Sequence, residues 1–100
     1  MNKKIFVDID ETICFYDNVE RQYKNAIPNK KNIEKINKLY DEGYHIKYWT
    51  ARGTVSKIDY YELTKSQLNK WGAKHHELSV GKKPDYHLLI CDRTKRIEEI

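Results

Sequence analysis

Cysteine is almost missing from this 100-residue chain, which has only Cys14 and Cys91. They form no CxxC pair of the kind that holds zinc. Nor do they form the short-spaced even set that staples a small secreted domain. A reducing, cytoplasmic setting is the expectation, with both thiols acting as buried apolar fillers. No apolar run is long enough for a membrane helix, and the N-terminus leads straight into a strand-like segment. Neither a membrane partner nor a signal peptide is therefore expected. With two prolines and four glycines, no stretch has the composition of a linker or a low-complexity tract, and no segment repeats. A dense basic stripe with interleaved aromatics, the mark of a nucleic-acid track, is absent too. These absences leave one domain over residues 1–100, near the size at which a single core becomes adequate.

Charge and tyrosine are plentiful. Charged residues make up 34% of the chain, and the net charge of +4 favours an anionic ligand. The lysines are dispersed, however, so a solvated surface explains them better. Eight tyrosines suggest a core built partly from amphipathic rings.

The most informative segment is the apolar run Ile5-Phe6-Val7, followed at once by Asp8-Ile9-Asp10-Glu11-Thr12. It places two carboxylates at the C-terminal end of a strand over Lys4–Asp8, with Ile9 pointing away between them. In open α/β sheets that edge is where ligands bind. Residues 13–31 read as a polar, Tyr-bearing flap or hairpin. Asn29 then caps a helix whose stripe is Ile33, Ile36, Leu39 and Tyr40 and which Gly43 ends. A second strand covers 44–49. A second helix opens at Asp59 with Glu62 as its capping-box partner, and Gly72 closes it. His76–Val80 and Leu88–Cys91 are two further strands, and a short helix over 94–100 ends the chain. Strands alternating with helices predict a mostly parallel α/β sheet with right-handed crossovers.

Three strand ends then carry polar groups, namely Asp8 and Asp10, Thr50, and Asp92. A loop with Gly81-Lys82-Lys83-Pro84 lies between the last two strands. Taken singly, each group has a structural alternative. An Asp pair marks a turn, Thr50 caps a turn, Lys82-Lys83 is a solvated pair, and Arg52 is a surface residue. His75-His76 points its rings to opposite faces of a strand, which suits structure better than metal binding.

Together these segments resemble the haloacid dehalogenase (HAD) phosphohydrolase superfamily. Asp8-Ile9-Asp10-Glu11-Thr12 is similar to its first motif, DxDxT. Thr50 after Ile46-Lys47-Tyr48-Trp49 resembles the second, Lys83 the third, and Leu88-Leu89-Ile90-Cys91-Asp92 the fourth. The likeness spans residues 4–93. Tyr48-Trp49-Thr50-Ala51-Arg52-Gly53 and Lys83-Pro84-x-Tyr86 are also similar to a small capless subgroup, several of whose members are labelled capsule or lipopolysaccharide biosynthesis phosphatases. Two positions depart from the pattern. Cys91 stands where the fourth motif often has a second acid, and His87 stands where the subgroup usually has an acid.

The resemblance implies a three-layer, Rossmann-like (HAD-like) fold with helices on both faces of the sheet and no cap domain. It implies a Mg²⁺-dependent phosphatase that hydrolyses a phosphate monoester through an aspartyl-phosphate. In this reading Asp8 is the nucleophile. Asp10 protonates the leaving oxygen and then activates water, which asks for an Asp10 pKa above that of Asp8. Asp8, Asp92 and the backbone carbonyl of Asp10 bind the metal. Thr50, the Ala51 amide, Arg52 and Lys83 hold phosphate or substrate. Without a cap, the site is open to large substrates or closed by a neighbouring subunit of a homo-oligomer. The partner is a phosphorylated small molecule, such as a sugar phosphate or nucleotide, or a phosphorylated nucleic-acid end. Three alternatives stand beside this reading. They are a polynucleotide 3′-phosphatase-like enzyme, a catalytically weak HAD-like binding module, and a response-regulator receiver. Both acids flank Ile9 on the first strand, which argues against the receiver.

Overall fold

The structure, a computed structural model, describes residues 3–17 and 22–81. Lys82, Lys83, Asp92, the expected fourth strand and the C-terminal helix lie outside the described residues. In chain order the elements are β1 (Lys4–Asp8), β2 (Cys14–Phe15), a 3₁₀ turn (Tyr23–Asn25), β3 (Ile27–Pro28), α1 (Lys30–Asp41), β4 (His45–Thr50), α2 (Tyr61–Trp71) and β5 (Glu77–Val80). β1, β4 and β5 form a parallel sheet with β4 in the middle, and β2 and β3 form a separate antiparallel hairpin.

The register explains where the core lies. Val7 sits beside Tyr48 and Ile5 beside Ile46, so these side chains and Thr50 share one sheet face. That face buries Val7, Ile46 and Tyr48 against Ile33 and Ile36 of α1 and Leu68 and Trp71 of α2. Both described helices therefore cover the same side. Each crossover steps one strand in the same direction along the sheet, and right-handed connections then place their helices on one face. The opposite face holds the half-buried Phe6, Lys47 and Trp49, with the Lys4 and Lys47 ammonium groups over the Phe6 ring at 5.8 and 5.4 Å. Among the described residues no helix covers that opposite face, so the expected second helical layer is not seen there.

Local chemistry sets most boundaries as expected. The Asn29 side chain accepts from the Asn32 amide (3.0 Å) and caps α1, worth about 1 kcal/mol. Asn32 Nδ2 donates to the Thr12 carbonyl (2.9 Å), tying the helix start to the turn after β1. Gly43 takes φ +99° just past the helix end, a conformation that costs glycine little. α2 begins one residue later than the capping-box reading, at Tyr61. Asp59 Oδ1 instead accepts from the Tyr61 amide (2.9 Å) in a local turn, and Tyr60 occupies the cap without a side-chain bond. His76 also drops out of the third strand of the sheet. Its Nδ1 accepts from the Ile46 amide (3.0 Å), and its ring stacks between Tyr40 and His45. The neighbouring His75 is anchored as well, with Nδ1 2.9 Å from the Ala73 carbonyl.

Among the described residues one buried polar atom, Tyr48 Oη, has no hydrogen-bond partner. An unsatisfied buried hydroxyl contributes nothing to stability and carries a desolvation cost. Tyr48→Phe should therefore leave the fold equally stable or raise its stability by up to about 1 kcal/mol. A urea unfolding curve measures it, and a loss larger than that would mean the hydroxyl has a partner after all.

Candidate active site

β1 ends at Asp8, which is exposed, while Ile9 is fully buried, as the alternation requires. The chain then turns sharply. The Thr12 and Ile13 amides both donate to the Ile9 carbonyl (3.2 and 3.0 Å), and Glu11 adopts φ +67°. A non-glycine residue in that region is uncommon and marks a constrained turn. The turn carries Asp10 inward, beneath the hairpin made by β2 and β3.

Asp10 meets the end of the neighbouring strand. Thr50 Oγ1 donates to Asp10 Oδ2 (2.9 Å) across 40 residues of sequence. Thr50 also accepts from the Arg52 amide (3.3 Å). Tyr16 of the hairpin donates to Asp10 Oδ1 (2.5 Å). Arg52 approaches with Nε 3.1 Å from Oδ2 and Nη2 2.8 Å from Oδ1, a two-point ion pair.

Arg52 is the main departure from the sequence reading. It was expected to touch substrate or face solvent, yet it is 1% exposed. Nη1 donates to Thr64 Oγ1 (3.1 Å) and Gln67 Oε1 (2.6 Å), and Nη2 also reaches the Tyr16 hydroxyl (3.2 Å). The Tyr23 ring covers the guanidinium at 4.8 Å. A buried charge is tolerable only with this kind of complete partnering. Its position follows from the loop. Gly81 N donates to the Thr50 carbonyl (2.9 Å) and Thr54 N to the Ala51 carbonyl (3.0 Å). The loop therefore doubles back directly after β4 and sends the Arg52 side chain towards α2. Ala51 stays exposed at the bend.

The network fixes the charges. Burial pushes the Asp10 carboxyl upward and is the largest single influence. Hydrogen bonds from Arg52 and Tyr16, the Arg52 charge and the Thr50 hydroxyl together outweigh it, and the group lies below the usual Asp value. A fixed cation therefore sits on the carboxylate and holds it ionised, against the proton that a leaving-group acid must carry. Burial raises the Tyr16 hydroxyl, with Asp10 adding to the shift, so it stays a donor. Burial and the Asp10 charge push the Cys14 thiol up to about 12, consistent with an inert filler.

Tyr16, Thr64 and Gln67 are functional candidates that the sequence reading missed. A signal existed in α2, where the buried stripe is Thr64, Gln67, Leu68 and Trp71. Two polar residues on a buried helical stripe require a polar partner inside. Gln67 completes the link, because its Nε2 donates to the Tyr23 carbonyl (2.6 Å) and joins hairpin, helix and Arg52.

Asp8, Asp10, Thr50 and Ala51 thus gather at one end of adjacent parallel strands, with Arg52 behind them. Lys83 and Asp92 fall outside the described residues. Among the described residues no group of three His, Cys, Asp or Glu side chains could hold a metal ion. The Asp8 carboxylate and the Asp10 carbonyl are hard oxygen donors of the type Mg²⁺ accepts. The Asp10 carboxylate itself is taken up by Arg52, Tyr16 and Thr50, which fits ligation through its backbone instead. No described helix is long and apolar enough to cross a membrane.

No family model matches the chain, and no curated protein matches it. The crystal structure of an MCSG target protein from Vibrio cholerae superposes with a TM-score of 0.78 and 27% identity. The match covers 97% of this chain and 85% of that one. The chain shares its α/β fold with that bacterial protein.

Proposed function

We propose that the chain is a Mg²⁺-dependent phosphatase that hydrolyses a phosphate monoester through an aspartyl-phosphate. The observation that carries this reading is the Asp10–Thr50 contact beside Asp8, at the strand-end edge where open α/β sheets bind ligands. Phosphoryl transfer asks chiefly for positioning and charge neutralisation, and the cluster offers both.

In this reading an Asp8 carboxylate oxygen attacks phosphorus as the bond to the leaving oxygen breaks. A water then attacks the aspartyl-phosphate, gives its proton to the Asp10 carboxylate and releases phosphate with Asp8 restored. The Ala51 amide holds a phosphate oxygen, the Thr50 hydroxyl turns from Asp10 to a second one when substrate binds, and Lys83 offsets their charge. Arg52 acts through Asp10 and not on the substrate. It keeps the carboxylate ionised and aimed, which suits the water-activating half of the cycle. The leaving-group half requires Asp10 to take a proton against that hold. Mg²⁺, held by Asp8, the Asp10 carbonyl and Asp92, would neutralise charge on the phosphoryl group.

Release of inorganic phosphate from a generic aryl phosphate tests the proposal. Turnover should require added Mg²⁺ and stop with chelator, and Asp92→Asn should raise the Mg²⁺ concentration needed. Undiminished turnover in chelator would remove the metal from the mechanism. One feature favours a second reading, a HAD-like domain kept as a binding module. A fully satisfied buried Asp10–Arg52 pair is also what a purely structural staple looks like. That reading expects no phosphate release under any metal condition.

A further inference from the structure

A cavity of about 540 Å³ opens one residue past Thr50, between the hairpin and the loop that follows β4. Its size falls in the range of small-molecule sites. Ala51 is part of its lining, Tyr23 and Tyr60 form an edge-to-face pair at 5.0 Å, Leu63 and Val55 supply aliphatic walls, and Lys24 contributes a cation. Val55 is 94% exposed, so an apolar side chain stands in water at this rim without serving the core. Gly53, at φ +86°, keeps the loop in shape, because a Cβ there would collide with the Ile58 carbonyl.

Resting on the phosphatase reading above, we infer that this cavity is a leaving-group subsite and that it takes a planar, nucleobase-like ring. Position decides the first part. A phosphoryl group held by Thr50 and the Ala51 amide has Ala51 in common with the cavity, so the ester's other half enters there. Chemistry decides the second. Two tyrosine rings and two aliphatic side chains suit a flat π-surface. Gln22 and Ser56 also line the cavity and suit the ring nitrogens and amino groups of a base, while burying the hydroxyls of a bare sugar against the tyrosine and aliphatic walls would cost free energy. Lys24 suits the anionic character of a nucleotide. Tyr23 connects the subsite to the catalytic cluster, since its ring lies on Arg52 and its carbonyl accepts from Gln67.

Adenosine 5′-monophosphate and ribose 5-phosphate differ by the ring alone and make the test. With phosphate release as the readout, kcat/KM should favour the nucleotide by on the order of tenfold or more, the scale of stacking one base. Leu63→Trp fills the cavity, and Val55→Asp places an anion on its rim at a position outside the core. Both should drive the ratio towards one. A wild-type ratio near one, or a ratio that neither variant moves, would overturn the inference. A second readout needs no turnover. In methyl-labelled protein titrated with adenosine, the Val55 and Leu63 resonances should shift. Shifts without phosphate release from any ester would keep the subsite and refute the phosphatase. Phosphate release without shifts would do the reverse, and the absence of both would refute the two together. A trinucleotide with a terminal phosphate, run in parallel, separates a free nucleotide from a nucleic-acid end. Preference for the trinucleotide assigns the ring to a polymer.

Discussion

Asp8→Asn is expected to abolish phosphate release and phosphoenzyme formation together, a loss on the order of 10⁴-fold or more for a nucleophile. The amide is nearly isosteric with the carboxylate, and Asp8 is exposed at the end of β1, so the fold should be unaffected. Asp10→Asn should behave differently. It should depress turnover by roughly 10²–10⁴-fold, the scale of general acid–base catalysis, and most severely for esters with poor leaving groups. The lowered Asp10 value adds a pH signature. Because Arg52 opposes protonation, turnover of poor leaving groups should decline as pH rises across the acidic range, while activated aryl esters decline less. Rapid-quench detection of the acyl phosphate and a leaving-group series at several pH values measure both effects. Substantial turnover by Asp8→Asn would refute the assignment of the nucleophile.

Arg52→Ala is expected to cost about 3–5 kcal/mol of stability, the range for breaking a buried ion pair by removing one partner. Asp10 would keep its burial and lose its cation, while Thr64 Oγ1 and Gln67 Oε1 would lose the donor they share. The loss should also depend on pH. A carboxyl whose native pKa lies below its unfolded value stabilises the fold above that unfolded value, about 3.9 for Asp. That benefit disappears as pH falls through the native pKa. In wild type it is present at neutral pH and lost on acidification, so the gap between wild type and Arg52→Ala should narrow at low pH. Arg52→Lys should recover only part of the loss, since an ammonium group cannot satisfy Asp10, Thr64 and Gln67 at once. Urea unfolding at pH 7 and at lower pH measures the series. A neutral Arg52→Ala variant would show that solvent already shields the pair.

Elements governed by local rules were legible in the sequence. β1 was read residue for residue, and the Asn29 cap and the Gly43 and Gly72 stops follow from backbone chemistry that acts within a few residues. That Asp8, Asp10 and Thr50 meet at one edge was legible because parallel strands put their C-terminal ends together, whereas the Thr50–Asp10 hydrogen bond was not. Arg52 was misread because its environment is assembled from Asp10, Tyr16, Thr64 and Gln67, up to 42 residues away. No window around Ala51-Arg52-Gly53 contains that information. The one local trace was in α2, where Thr64 and Gln67 share a stripe with Leu68 and Trp71. The start of α2 was misplaced for a related reason. The Asp59 carboxylate satisfied a nearer amide, and sequence spacing alone does not choose between two adjacent acceptor geometries.

The Asp10–Arg52 pair also restricts how this sequence can drift. Losing either partner alone strands the other as a buried charge, so each single replacement is penalised before catalysis is considered. A joint exchange for two well-packed apolar side chains could keep the fold, and such exchanges of buried ion pairs are often neutral or better. Between this chain and one of the same architecture without the pair lies a valley that only a coupled double change crosses. The stability of the scaffold alone is thereby enough to hold both residues in place.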